Sequence, residues 1–123
     1  MVDDDADTRY LVATILTRCG CEVRCVESAA EAMLAFSDWD PDLLVSDIGL
    51  PEEDGYSLIQ NLRSLATQRA QQIPALALTA YATEEDRSRA LSAGFQMHLT
   101  KPIKPESLVT SIATALGRDP GCN

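Results

Sequence analysis

Leu43-Leu44-Val45-Ser46-Asp47-Ile48-Gly49-Leu50-Pro51 carries the clearest structural signal in this chain. Its first three residues are apolar on consecutive positions, the pattern of a strand buried on both faces. The run stops at Asp47, and Gly49 and Pro51 turn the chain away, so a carboxylate is left at the C-terminal end of the strand. Working outward, three other apolar runs end the same way. Met1-Val2 leads into Asp3 and Asp4, Ala75–Leu78 into Thr79, and Phe95–Leu99 into Lys101-Pro102 after one intervening threonine. In an open α/β sheet the ligand crevice lies outside the carboxyl ends of the strands, so this spacing gathers all five polar groups at one edge.

Helical patterns fill the intervals. Leu11, Val12, Ile15, Leu16 and Cys19 form a stripe that closes at Gly20. Val23–Val26 reads as a short strand, and Ser28 with Glu31 forms a capping box for a helix carrying Ala32, Met33 and Phe36. Leu58, Ile59, Leu62 and Leu65 mark a helix that begins near Gly55, and Pro74 introduces the strand Ala75–Leu78. Thr83 caps a helix opening with Glu84, Glu85 and Asp86, which Gly94 closes. Pro105 suits the first position of a last helix bearing Leu108, Val109, Ile112 and Leu116 before Gly117. The alternation predicts a doubly wound α/β fold of five βα units, a parallel sheet with helices on both faces and right-handed crossovers. Its weak element is the first strand, which can contain only Met1, Val2 and Asp3 although a flavodoxin-like sheet places that strand in its interior. It reads as a truncated or reassigned start. Residues 118–123 are expected to form a disordered tail.

Composition narrows the function. With 123 residues, 46% hydrophobic and 24% charged, the chain has the size and balance of one folded domain with one core. A net charge of −9 without a basic patch argues against direct nucleic-acid binding. No apolar stretch reaches membrane-spanning length, and the acidic run from Asp3 leaves no secretory leader, so a cytoplasmic protein without membrane insertion is expected. Cys19, Cys21, Cys25 and Cys122 fit reduced thiols better than a zinc site, for which only His98 could complete the ligands.

Three neighbouring carboxylates, Asp3, Asp4 and Asp47, would raise one another's pKa, and Mg²⁺ resolves that conflict because it prefers oxygen ligands. A metal-neutralised carboxylate can attack phosphorus and form an acyl phosphate. The oxygens of the transferring group then need positive charge and donors, which Lys101 and Thr79 can supply. Each residue alone has a blander reading: a solvated acidic terminus, a turn aspartate, a strand-end threonine, a surface lysine. Their common register at the strand ends weighs against all four together.

On these residues the chain resembles a response-regulator receiver domain. The resemblance is carried by Val2-Asp3-Asp4-Asp5 with Arg9, by Ser46–Pro51 with Asp54-Gly55, by Leu78-Thr79-Ala80 and by Lys101-Pro102, and it spans residues 1–117. It implies a flavodoxin-like (βα)5 fold with strand order 2-1-3-4-5. By the same resemblance Asp47 is the phosphoacceptor, Asp3 and Asp4 hold Mg²⁺, and Gly49 offers the metal its backbone carbonyl. Lys101 then binds the phosphoryl oxygen, Thr79 moves toward it, and the Lys101-Pro102 peptide is cis. The phosphodonor is a histidine kinase or a histidine phosphotransfer domain, and Ser46–Gly55 is similar to the receivers of hybrid histidine kinases.

His98 departs from the family, whose switch position three residues before the lysine usually holds Tyr or Phe. Gly49 has no side chain to position an attacking water, and Tyr81 can cover the acyl phosphate, so slow self-dephosphorylation is expected. The signal would leave through the face formed by the helix from Thr83, the strand at Phe95–Leu99 and the last helix, acting on a partner or by self-association.

Three competitors are weighed. A phosphatase using Asp47 usually needs a second aspartate where Gly49 stands. A flavin carrier would meet repulsion from Asp3, Asp4 and Asp5. A degenerate receiver that only binds proteins would follow if the short first strand misplaced Asp3 and Asp4.

Overall fold

The apolar runs at 43–45 and 75–78 become the centre of a parallel sheet. The computed structural model describes residues 1–50, 53–80 and 83–117. In chain order the elements are α1 (Ala6–Arg18), α2 (Ala29–Asp38), β1 (Leu44–Asp47), α3 (Gly55–Arg63), α4 (Gln68–Gln72), β2 (Ala75–Thr79), α5 (Glu84–Ala93), β3 (Met97–Thr100) and α6 (Pro105–Leu116). The strands pair in the order β1-β2-β3, all parallel, with Val45 opposite Leu76 and Leu78 opposite Leu99. Every residue of β2 is buried, as its unbroken apolar run demands.

Met1–Asp3 pairs on both sides despite its length. Val2 bridges Val26 and Ser46, parallel to each. Its N–H donates to Val45 O and its carbonyl accepts from Asp47 N–H, both at 2.8 Å. On the other side Val26 N–H donates to Met1 O at 2.9 Å and Asp3 N–H to Val26 O at 3.2 Å. A stub of three residues therefore satisfies its backbone as an interior strand does.

Helices cover both faces. Val12 and Leu16 of α1 and Leu108 and Ile112 of α6 pack with Val45, Leu76 and Leu78 on one side. On the other, Ile59 and Leu62 of α3, Ala90 of α5 and Phe95 pack with Ala75 and Ala77. Ala29, Ala32 and Leu58 close around Val2. The fold is α/β and flavodoxin-like, as the alternation predicts. Three helix starts fall where expected: Ser28 and Thr83 accept from the backbone N–H groups of Glu31 and Asp86, and Pro105 opens α6; Asp54, which the sequence reading did not single out as a cap, accepts from Ser57 N–H. Among the described residues no helix is long and apolar enough to cross a membrane.

Three local expectations are corrected, and one helix is added. Val23–Val26 is not a strand beyond the single bridge at Val26, because only Val26 meets the Met1–Asp3 backbone with ladder hydrogen bonds on both its N–H and its carbonyl. The last strand is Met97–Thr100 rather than Phe95–Leu99. Phe95 N–H bonds Ala90 O at 3.0 Å, so this residue completes the C-terminal cap of α5 beside Gly94 (φ 130°). The capping box is displaced: Glu31 accepts the N–H of Glu27, at 2.8 Å, rather than that of Ser28. Helix α4 has no apolar periodicity to announce it; Thr67 caps it and Ala70 alone is buried. Cys19 and Cys21 are half-buried and Cys25 is exposed, while Cys122 lies outside the described residues.

At the end of the sheet opposite Asp47, Arg63 joins three elements. Its guanidinium donates to Gly94 O at 2.9 and 3.3 Å, to Ala70 O at 3.2 Å and to Gln96 Oε1 at 3.2 Å. Gln96 Oε1 also accepts Ala75 N–H at 2.7 Å, so the same knot reaches the start of β2.

Candidate functional site

Asp47 ends β1, Thr79 ends β2, and Lys101 stands one residue beyond β3. Lys101 N–H donates to Thr79 O at 2.7 Å, so the ladder itself fixes these two side by side. Asp3 arrives at the same edge from the stub. Asp3, Asp47 and Thr79 are buried, and Asp4 is exposed. The structure thus brings together the five polar groups at the strand ends, and the Lys101-Pro102 peptide is cis.

Carboxylate oxygens of Asp3, Asp4 and Asp47 all lie within 4.8 Å of one another. Lys101 Nζ stands 3.1 Å from Asp3 Oδ2 and 3.3 Å from Asp47 Oδ1, bridging the two buried acids. Burial pushes the Asp3 carboxyl above its ordinary pKa; the Asp5 N–H at 2.9 Å and the Lys101 ammonium pull it back without cancelling the effect. Burial also disfavours the Lys101 ammonium, but its hydrogen bond to Asp3 and the charge of Asp47 outweigh that and hold its pKa above the usual lysine value. One ammonium among three carboxylates leaves the centre negative. The donors are all oxygen, with no imidazole or thiolate in the cluster, so it fits a hard divalent cation such as Mg²⁺ and not zinc.

Residues around the centre hold it in place. Asp5 caps α1, accepting from Asp7 N–H at 3.3 Å and from the Thr8 hydroxyl at 2.6 Å, and the Thr8 bond chiefly holds its pKa down. Its own N–H bonds the Asp3 carboxylate, so the start of α1 and the buried acid are set together. Arg9 donates to Asp3 O at 2.8 Å and to Glu27 at 3.3 Å, tying α1 to the segment after Val26. Gly55 N–H donates to Ile48 O at 2.8 Å, and a Cβ at Gly55 would lie 2.5 Å from Asp47 O. The start of α3 thus rests directly on the backbone that presents Asp47. These positioning roles escape sequence reading. Arg9 and Asp54-Gly55 belong to the motifs, but only folding reveals what they touch.

The remaining candidates are His98, Gly49 and Tyr81. His98 is half-buried on β3. Gly49 is exposed, and a Cβ there would meet no atom of the described residues within 4 Å. Tyr81 and Pro51 lie outside the described residues.

Comparison with known proteins agrees with this geometry. The family model for the response regulator receiver domain matches residues 1–113. An uncharacterized 14.6 kDa protein of Leptolyngbya boryana is 46% identical over 109 residues, covering 89% of this chain and 82% of that protein. The chain spans about half the length of the curated transcriptional regulators it also matches. Among solved structures, the chemotaxis response regulator CheY4 of Vibrio cholerae superposes with a TM-score of 0.87 at 26% identity, over 94% of each chain. The receiver domain of a sensor histidine kinase from Pseudomonas aeruginosa superposes with a TM-score of 0.84 at 29% identity, over 94% of this chain and 93% of that one. That structure has a magnesium ion coordinated in its active site cleft.

Proposed function

The chain belongs to the response-regulator receiver domain family, and on that premise we propose that Asp47 accepts a phosphoryl group in a phosphorelay. The observation that carries this reading is the Lys101 ammonium held at once against Asp3 and Asp47, in a crevice made by three strand ends. The donor is a phosphohistidine on a histidine kinase or a histidine phosphotransfer domain. Its P–N bond breaks, an Asp47 Oδ–P bond forms, and the imidazole leaves and takes a proton. The domain modifies itself and turns over no external substrate.

Asp3, Asp4, Asp47 and the Gly49 carbonyl are the groups that would hold Mg²⁺, which when bound offsets the carboxylates and the charge of the phosphoryl oxygens. Lys101 binds a phosphoryl oxygen together with the Asp47 carboxylate. Thr79 offers its hydroxyl to the modified group and carries the change along β2, and His98 responds on β3. The receiver occupies residues 1–117, with 118–123 as a tail. Its strand order is 2-1-3-4-5, taking Met1–Asp3 as first and the Val26 segment as second; the pairing of Val2 with both Val26 and Ser46 supports that order. The face built by α5, β3 and α6 delivers the signal, to a partner protein or to a second copy, without contacting nucleic acid.

Acetyl phosphate with Mg²⁺ should add one phosphoryl group per chain, seen by mass, labile to hydroxylamine and absent with EDTA. A folded chain that takes up none would instead be a phosphorylation-independent binding module. Loss of the group should take minutes or longer, since Gly49 positions no water and Tyr81 shields the acyl phosphate. Tyr81→Ala should shorten that lifetime, and an unchanged decay rate would remove Tyr81 from the account.

A further inference from the structure

Arg63 ties the end of α3 to the end of α5, and a second joint between the same helices lies nearer Asp47. The Arg89 guanidinium of α5 lies over the Tyr56 ring of α3, its central carbon 4.1 Å from the ring centroid. At that distance the positive charge is attracted to the electron-rich face of the ring. Tyr56 is buried with Ile59, Ala90 and Phe95, whereas Arg89 is exposed. The ring is held by its surroundings, and the guanidinium is the partner able to leave.

Tyr56 is placed to register a change at Asp47. It is the second residue of α3, and the first, Gly55, rests on the acceptor's own backbone. A Cβ on Gly55 would lie 2.5 Å from Asp47 O, and its N–H donates to Ile48 O at 2.8 Å. Asp54 braces the same turn by accepting Ser57 N–H at 2.9 Å. With the contact already this close, a shift of the Asp47 backbone toward α3 can only push that turn outward, and the Tyr56 ring goes with it.

Arg89 has a second place to go. Glu85 precedes it by four residues on the same helix, the order and spacing at which an acid and a base pair along a helix. Both side chains are exposed and can meet in solvent. Charges of both signs also converge on the phenol of Tyr56: burial raises its pKa most, Arg89 pulls it down, and Asp86 and Asp54 push it up. The guanidinium thus has two alternatives, the Tyr56 ring of the neighbouring helix or the carboxylate of its own.

We propose that Tyr56 and Arg89 form a clasp that couples the state of Asp47 to α5, by a route through α3 separate from the one through Thr79 and His98. The inference rests on Asp47 as the phosphoacceptor. In the unmodified chain the clasp is closed and holds the middle of α5 against α3. Modification drives the first turn of α3 outward, the ring withdraws from beneath the guanidinium, and Arg89 transfers to Glu85. The clasp is a two-state element whose populations the acceptor biases, and its opening loosens α5.

The test follows hydrogen exchange in α5 and β3 with and without Mg²⁺ and beryllofluoride, a stand-in for the phosphoryl group whose binding is read by fluorine NMR. In the parent chain, binding should quicken exchange in α5 by about fivefold, a modest coupling between sites. Arg89→Gln and Tyr56→Leu should each show the faster exchange before anything is bound and change little on binding, while β3 responds as in the parent. The two substitutions together should do no more than either alone. Tyr56→Phe keeps the ring and should behave as the parent, and Arg89→Lys should fall between. Glu85→Gln removes the alternative partner and should blunt the response of α5. A parental α5 response in Arg89→Gln would overturn the proposal, and so would Tyr56→Phe behaving as Tyr56→Leu. Loss of the β3 response together with that of α5 would also overturn it, because the substitution would then have loosened the whole domain. A parent chain that binds no beryllofluoride would instead remove Asp47 as the acceptor, and the trigger of the clasp with it.

Discussion

Asp47→Asn should take up no phosphoryl group from acetyl phosphate, under Mg²⁺ conditions in which the parent chain is fully labelled. The substitution keeps the size and planarity of the side chain but replaces a nucleophilic carboxylate oxygen with a feebly nucleophilic amide. It leaves the Lys101–Asp3 pair in place, so the fold should survive and the loss should belong to the chemistry. Tm and incorporation are therefore measured on the same preparation. Labelling of the folded variant above background would mean that the acceptor is elsewhere. Asp3→Asn is the companion control: it retains the nucleophile and should slow labelling through weaker cation binding, which more Mg²⁺ partly restores.

Gly55→Ala should cost about 2 kcal/mol of stability although alanine is the better helix former, because overpacking against an immovable neighbour typically costs 1–3 kcal/mol. The neighbours are backbone: the new Cβ would sit 2.5 Å from Asp47 O and 2.9 Å from Ile48 Cα. Neither can rotate away as a side-chain tip would. The start of α3 must retreat, which stretches the Gly55 N–H to Ile48 O bond, or the turn after β1 must shift and carry Asp47 with it. Intrinsic helix propensity returns at most ~1 kcal/mol of the loss. Denaturation midpoints and the acetyl phosphate rate should fall together. A midpoint at or above that of the parent would show that α3 is not seated on Asp47 as the distances imply.

Much of the crevice was legible because it depends on where apolar runs stop. β1 and β2 end at Asp47 and Thr79, the residues at which the sequence changes character. Helix starts were equally readable from Ser28, Thr83 and Pro105, which act on their own first turns. What escaped depends on partners distant in sequence. Val23–Val26 has strand composition but only one bridge, since pairing needs a neighbouring backbone as well as propensity. Phe95 reads as a strand residue and serves as a helix cap, because the turn at Gly94 claims its N–H. The contact between Gly55 and Asp47 and the hold of Arg9 on Asp3 exist only after folding.

The knot at Arg63 gives the molecule a mechanical polarity. Through Gly94 it rivets the trailing end of α5 to α3, and through Ala70 and Gln96 it fastens α4 and the root of β2. Among the described residues the leading end of α5 rests on its own Thr83–Asp86 cap, and farther along the Arg89 guanidinium lies over the Tyr56 ring of α3 at 4.1 Å. The helix is therefore a lever with its firmest hold at Gly94 and its more lightly held arm at Thr83. A displacement of a fraction of an ångström at the strand ends would be spent on tilting that arm, with the base of the domain held still.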